Sequence, residues 1–93
     1  MKISGKQVTA ARNLLGITQV ELATAATVDP STVLRFELGQ IEPQRGSLKK
    51  ILNELERRGI EFTKGTGIGV RLNYEKAAEF ARATAQPPSE HNQ

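Results

Sequence analysis

The sequence predicts a mainly α-helical fold in which four short helices are followed by a short β-hairpin and a C-terminal helix. Three features support this prediction. Helix-capping patterns recur through the first 59 residues, and the apolar residues between them are spaced three or four positions apart. After Gly59 the apolar residues alternate with polar ones around a glycine-rich stretch, which is typical of two short strands.

The first helix is expected to begin after Ser4 and to end at Gly16. Ser4 and Gln7 have the spacing of a capping box, in which each side chain binds the backbone N–H of the other residue. Gly16 can take the left-handed conformation that closes a helix. The residues expected to face inward are Val8, Ala11, Leu14 and Leu15.

The second and third helices are shorter. Thr18 and Glu21 have the spacing of a second capping box. Asp29 caps the third helix and Pro30 takes its first position, where a missing N–H costs nothing, while Gly39 ends it. The residues expected to be buried are Val20, Leu22, Ala23 and Ala26 in the second helix and Val33 and Phe36 in the third.

A loop from Gln40 to Gly46 separates the third helix from the fourth, because it contains Pro43 and ends in a glycine. We expect Ser47 to cap the fourth helix and Gly59 to follow its end. The apolar residues of this helix recur at helical spacing and are Leu48, Ile51, Leu52 and Leu55.

The segments IEF and GVRL are expected to pair as a hairpin, which is marginal on its own. Asn73 then caps a last helix from Tyr74 to about Thr84. The polar and proline-containing residues 85–93 are expected to form a disordered tail. The apolar residues available for packing on the last helix are Ala77, Ala78, Phe80 and Ala81.

The composition excludes several classes of protein. The chain has 93 residues, of which 38% are hydrophobic, so we expect one small and largely aliphatic core that a dimer interface would help to stabilise. It has no cysteine and one histidine, His91, which leaves no thiol chemistry and no histidine-rich metal site. We therefore expect no metal and no cofactor. No apolar run approaches the roughly 20 residues of a membrane span, so a cytoplasmic protein is expected.

A formal net charge of +3 is compatible with a nucleic-acid partner, although many basic proteins bind no anion. The distribution of charge is more informative than its sum. Asp29 is the only acidic residue from Val28 to Leu34, and the middle of the chain then supplies a group of cations, Arg35, Arg45, Lys49 and Lys50. Lys49 and Lys50 are also explained as solvent-facing helix residues.

Two short capped helices joined by a tight turn, with small polar residues and an arginine on the outer face of the second, are typical of a helix placed in the major groove of DNA. The run RNLLGITQVELATAATVDPSTVLRFELGQIEP resembles the core of the lambda-repressor-like family, also called the Xre or Cro family. The resemblance spans roughly Ser4 to Gly59. It implies a four-helix helix-turn-helix DNA-binding core over residues 1–59. The residues that match the family pattern are Arg12, Gly16, Thr18, Gln19, Leu22, Ala23, Val28, Ser31, Thr32, Val33, Glu37, Gly39 and Pro43.

Thr27 departs from this pattern, because the family usually has glycine in the turn between the two helices. A threonine held at positive φ would cost of order 1 kcal/mol. We expect the turn to form nevertheless, with a slight distortion.

The resemblance implies that the third helix contacts bases through Asp29, Pro30, Ser31, Leu34 and Arg35. Arg35 can donate two hydrogen bonds to guanine, although a phosphate contact or a solvated side chain would also explain it. Ser31 can bond a base or a phosphate, and Leu34 can touch a thymine methyl group or serve in packing. Asp29 can accept from cytosine, yet helix capping explains it fully.

Further positions of the family contact DNA phosphates. Gln19 lies at the start of the second helix, where it would bind a phosphate and support the third helix, or serve only in capping. The loop before the fourth helix is expected to add contacts that do not depend on sequence, or to be merely solvated. The candidate phosphate contacts are Thr18, Gln19, Thr32, Gln40, Gln44, Arg45 and Ser47. The resemblance also implies a partly buried, structural ion pair between Arg12 and Glu37.

One recognition helix covers too few base pairs to define a unique site, so such proteins usually bind palindromic operators as two-fold dimers. Residues 60–84 are the candidate dimerisation element, because a two-stranded ribbon with an apolar face needs to be covered. The alternative is that this segment closes the core of its own monomer. The candidate interface residues are Ile60, Phe62, Ile68, Val70, Leu72 and Phe80.

The sequence therefore predicts a dimeric transcriptional regulator, most simply a repressor that binds a palindromic operator in double-stranded DNA. Autoregulation or control of a mobile element would suit its size. Two alternatives remain open: an antitoxin with a toxin-binding C-terminal part, and a protein-binding antiactivator. No nucleophile and base pair suggests an enzyme, and no membrane partner or small-molecule ligand is expected.

Overall fold

The computed structural model describes residues 2–63 and 65–85. In chain order its elements are α1 (Gly5–Leu15), α2 (Gln19–Ala26), α3 (Pro30–Glu37), α4 (Arg45–Arg57), β1 (Ile60–Phe62), β2 (Val70–Leu72) and α5 (Tyr74–Thr84). The predicted mainly α fold, with its hairpin and C-terminal helix, is confirmed. None of the helices within the described residues is long and apolar enough to cross a membrane.

Side-chain caps start most of the helices where the sequence predicts them. Ser4 and Gln7 form a reciprocal capping box at α1, and Thr18 and Glu21 form another at α2. Asp29 accepts from the Ser31 backbone N–H at the start of α3. At the start of α5, the Asn73 side chain accepts from the backbone N–H of Lys76.

The prediction that Ser47 caps the fourth helix is wrong. Helix α4 begins at Arg45, after Gln44, and includes both Gly46 and Ser47. The carbonyl of Gln44 accepts from the Leu48 backbone N–H at 2.9 Å, so the helical hydrogen bonding starts at the residue directly after Pro43. Gly46 therefore lies in the first helical turn rather than in a loop, and its φ is not positive.

The core lies where α1 to α4 meet β1. Leu14 and Val20 are exceptions to the predicted inward faces, since both are exposed. With 3.6 residues per turn, Leu14 lies on the edge of the stripe defined by Val8 and Ala11. Val20 precedes Leu22 by two residues, about 200° around the helix, so it lies on nearly the opposite face. The buried apolar residues are Val8, Ala11, Leu22, Ala23, Ala26, Val33, Phe36, Ile51, Leu55 and Ile60.

Helices α1 and α3 approach each other closely at Gly5. A Cβ atom at this position would lie 2.0 Å from the carbonyl oxygen of Phe36, so no residue with a side chain fits without moving the backbone. This contact brings the start of α1 against the end of α3. The lack of a side chain at position 5 therefore allows α1 and α3 to pack this closely.

The two strands form an antiparallel hairpin in which Ile60 faces Leu72, Glu61 faces Arg71 and Phe62 faces Val70. Ile60 is only 1% exposed, and the other apolar strand residues pack against the same core. The expectation that Ile60 faces a partner is therefore wrong, because its side chain is buried within the monomer. Gln7 ties the hairpin to α1 through a hydrogen bond from its Nε2 to the Gly69 carbonyl at 3.1 Å.

Helix α5 rests on the end of α4. The guanidinium groups of Arg57 and Arg58 lie 4.7 and 4.8 Å from the centre of the Phe80 ring. Both arginines also donate hydrogen bonds to Glu54, whose side chain is buried. None of the residues of α5 is fully buried. The predicted tail lies outside the described residues from residue 86 onward.

Thr27 follows α2 with φ 61° and ψ 45°, and within the described residues it is the only non-glycine residue at positive φ. Its backbone N–H donates to the carbonyls of Ala23 and Thr24, so the turn is closed as in a glycine-ended helix. The predicted turn with a strained threonine is confirmed.

We predict that Thr27→Gly raises the free energy of unfolding by about 0.5–1 kcal/mol, because glycine adopts this backbone conformation without steric cost. Urea denaturation measures the change. Thr24→Gly, one turn earlier in α2, is the matched control and should lower stability by about 0.3–0.5 kcal/mol. An equal loss of stability in both variants would contradict the assignment of strain to Thr27.

Candidate nucleic-acid interface

The ion pair expected from the sequence joins α1 to the last residue of α3. Arg12 donates from Nε to Glu37 Oε2 at 2.7 Å and from Nη2 to Glu37 Oε1 at 2.8 Å, which is a two-bond arrangement. The remaining terminal nitrogen of Arg12, Nη1, donates to the carbonyl of Ile17 at 3.0 Å. The Arg12 side chain is 14% exposed and that of Glu37 only 4%.

Gln19, the first residue of α2, joins the same carboxylate. Its Nε2 donates to Glu37 Oε1 at 2.8 Å. The side chain therefore links the start of α2 to the end of α3, as expected for a residue that supports the third helix. The amide nitrogen has a second N–H, which is the group that a phosphate would use.

These hydrogen bonds determine the charge of Glu37. Burial raises the pKa of Glu37, but the hydrogen bonds from Arg12 and Gln19 outweigh burial and hold this pKa below its ordinary value. The hydrogen bond to Glu37 has the opposite effect on its partner and raises the pKa of Arg12 above its ordinary value. Both groups are therefore charged at neutral pH, and the fold depends on their remaining so.

The exposed face of α3 contains the predicted base contacts. Asp29 Oδ1 accepts from both the backbone N–H and the hydroxyl of Ser31, each at 2.8 Å. Leu34, at 43% exposure, is not a core residue. The exposed residues of this face are Asp29, Pro30, Ser31, Leu34 and Arg35, whereas Thr32 is half-buried.

The predicted phosphate contacts occupy three short segments at the start of α2, after α3 and at the start of α4. Thr18 uses its oxygen to cap α2, and its hydroxyl hydrogen is left for another acceptor. Helix α4 is the one helix of the described chain without a side-chain cap, so the backbone N–H groups of its first turn have no side-chain partner there. Of the remaining candidates, Ser47 is half-buried and Gln40, Gln44 and Arg45 are exposed.

Two polar residues that the sequence analysis missed lie beside Gln19. Lys6 and Asn13 line an open groove of about 490 Å³ between α1, the start of α2 and the end of α3. They lie seven residues apart, which places them on one face of a helix. That spacing was visible in the sequence, but it gains meaning only when α1 is known to lie against Gln19.

The comparisons with known proteins give one positive result. A family model described as helix-turn-helix matches residues 8–62, from the first turns of α1 to the end of β1. No curated protein matches the chain.

We predict that Glu37→Ala lowers the free energy of unfolding by about 3 kcal/mol at pH 7, because it leaves the largely buried Arg12 without its partner. The difference from the unmodified protein should shrink as the pH falls below the ordinary glutamate value of about 4.3. The native carboxylate, with its lowered pKa, is then protonated and its stabilisation is lost.

Urea denaturation at pH 7 and at acidic pH measures both effects. Glu56→Ala, at an exposed position of α4, is the control and should change stability by no more than about 0.5 kcal/mol. A Glu37→Ala variant as stable as the control at pH 7 would contradict the structural role of the ion pair.

Proposed function

The chain belongs to the lambda-repressor-like helix-turn-helix family of DNA-binding transcription regulators, and from this premise we propose that it is a dimeric repressor that binds a palindromic operator. The observation that carries the proposal is the contrast between the two sides of α3. Its inner side is held by buried residues and by the Glu37 network, whereas its outer side exposes all five candidate base contacts. A rigid helix with a free polar face suits insertion into a major groove.

Arg35 is the proposed principal base contact. Its side chain is exposed and its guanidinium can donate two parallel hydrogen bonds to the O6 and N7 atoms of guanine. Leu34 lies beside it, and an exposed leucine is suited to contact with a thymine methyl group. Pro30 can contribute to the fit between the helix and the groove but cannot donate a backbone hydrogen bond, because it lacks an N–H.

The phosphate contacts are proposed to lie on both sides of the recognition helix. The uncapped start of α4 offers backbone N–H groups and the positive end of the helix dipole, and Arg45 adds a full charge there. Gln19 offers its second amide N–H at the start of α2. Lys6 and Asn13, which share a groove with Gln19, extend this second group.

Dimerisation is proposed to use the outer surface of residues 60–84. Ile68 is 59% exposed and Tyr74 is also exposed, while Phe62, Val70 and Leu72 are half-buried along the ribbon. Phe80 is half-buried against Arg57 and Arg58 and is the proposed contact from α5. A two-fold axis through this region would present two recognition helices to successive turns of one DNA face.

Binding to the upstream region of its own gene is the most direct test, because short regulators of this kind commonly control their own expression. We predict that Arg35→Ala weakens binding to this region about tenfold, with little change in binding to scrambled DNA, since only the base contact is lost. Arg45→Ala should weaken binding to both DNAs and lower the salt slope by about 1. Fluorescence anisotropy at two salt concentrations measures both effects.

Lys50→Ala, on the exposed surface of α4, is the control for the loss of one positive charge. Equal weakening by Arg35→Ala on both DNAs would contradict base recognition by Arg35. Equal affinity of the unmodified protein for both DNAs would contradict autoregulation, and the absence of all DNA binding would contradict the proposed function.

We predict that Ile68→Glu shifts the protein from dimer to monomer, because a charge would be buried at the proposed interface. Sedimentation velocity measures the change. Leu14→Glu replaces an exposed leucine outside the proposed interface and should leave the dimer intact. A dimer unaffected by Ile68→Glu, or a monomeric unmodified protein, would contradict this surface as the contact.

A further inference from the structure

We propose that Ser31 presents only hydrogen-bond acceptor sites to DNA, because Asp29 holds its hydroxyl hydrogen, and that it thereby selects a base with an exocyclic amino group, cytosine or adenine. This inference rests on the proposed function and specifies part of its target. Asp29 acts as a positioning residue for Ser31.

The hydroxyl of Ser31 has a single hydrogen, and this hydrogen is directed at Asp29 Oδ1 over an oxygen–oxygen distance of 2.8 Å. The direction of the bond is fixed by chemistry, since an ionised carboxylate only accepts. The backbone N–H and then the hydroxyl of Ser31 lower the pKa of Asp29, which keeps the carboxylate ionised at neutral pH. Only the lone pairs of the hydroxyl oxygen are then available to a base or other partner outside the protein.

The backbone holds this arrangement in place. The Ser31 backbone N–H donates to the same Oδ1 atom, so the capping bond alone holds the carboxylate in position. Both residues are exposed, Asp29 as the N-cap and Ser31 in the first turn of α3. The arrangement therefore costs the fold nothing beyond an ordinary helix cap, and it faces solvent where a base would bind.

The charge of Asp29 also argues against other partners for Ser31. A phosphate oxygen, guanine O6 and thymine O4 are all acceptors, and each would meet an acceptor on Ser31 beside a negative charge. In the major groove, cytosine N4 and adenine N6 are the donors. An acceptor-only Ser31 favours these two bases and disfavours guanine and thymine.

Arg35 lies four residues after Ser31, about 6 Å further along the same face of α3. Its chemistry is the opposite, because a guanidinium only donates. The base-pair rise of about 3.4 Å then places the two contacts within one or two base steps. The operator half-site should thus combine a guanine with a cytosine or adenine at this short separation.

Selection from a randomised duplex library with the full chain, followed by sequencing, tests the inference. The unmodified protein should select guanine at one position and cytosine or adenine one or two steps away. Ser31→Ala should remove the preference at the second position alone. Asp29→Gly should also remove it, because glycine caps a helix almost as well but releases the hydroxyl to act as a donor.

Asp29→Asn is the matched control. Its side-chain oxygen can still accept from both groups of Ser31, but its amide group can also donate and the negative charge is gone, so the preference should persist in weakened form. The loss of a negative charge near phosphates should strengthen binding to every sequence by a few fold. Thr24→Ala removes an exposed hydroxyl from α2 and should leave the selected motif unchanged.

Guanine or thymine at the position controlled by Ser31 would overturn the inference while leaving the proposed function intact. An unchanged preference in Asp29→Gly would do the same. If no duplex is enriched, the proposed function itself fails. Melting temperatures of the variants distinguish a lost contact from an unfolded protein.

Discussion

The carboxylate of Glu37 accepts hydrogen bonds from two other helices, from Arg12 in α1 and from Gln19 in α2, and the angle between α2 and α3 depends on it. Apolar contacts alone bring these helices together but restrain their rotation weakly, because hydrophobic burial has no direction. Hydrogen bonds to a buried charge do have direction. The network lies at the end of α3, so it fixes the helix from its base and leaves the first turn free to meet DNA.

Much of this fold could be predicted from the sequence because its signals are local. Each capping box is contained in four residues, and the caps at Ser4, Thr18, Asp29 and Asn73 lie where the spacing placed them. The start of α4 was predicted three residues late, because Gly46 was interpreted as a helix breaker. Features that join distant segments were harder to predict. The need for glycine at position 5 arises from the backbone of Phe36, which no local pattern reveals.

Some features of the candidate site could likewise be predicted from the sequence, and others could not. The Arg12–Glu37 pair and the exposed face of α3 followed from a family pattern in register with the sequence. The direction of the Ser31 hydroxyl did not, because it depends on which atom of Asp29 faces it. The burial of Ile60 agrees with the alternative that the hairpin closes its own core, and the sequence could not decide between the two, since an alternating strand has the same pattern whether its apolar face meets a partner or its own core.

Helix α5 has no fully buried residue, and its contacts are its Asn73 cap, an ion pair from Lys76 to Glu61, a close backbone approach to Gly59 and the stacking of Phe80 on two arginines. Its backbone hydrogen bonds should therefore open at a much smaller free energy than those of the core helices, and its amide hydrogens should exchange with solvent first. A partner that covers α5 would slow this exchange without touching the rest of the protein. The C-terminal helix thus offers a local reporter of assembly that is separate from the DNA-facing surface.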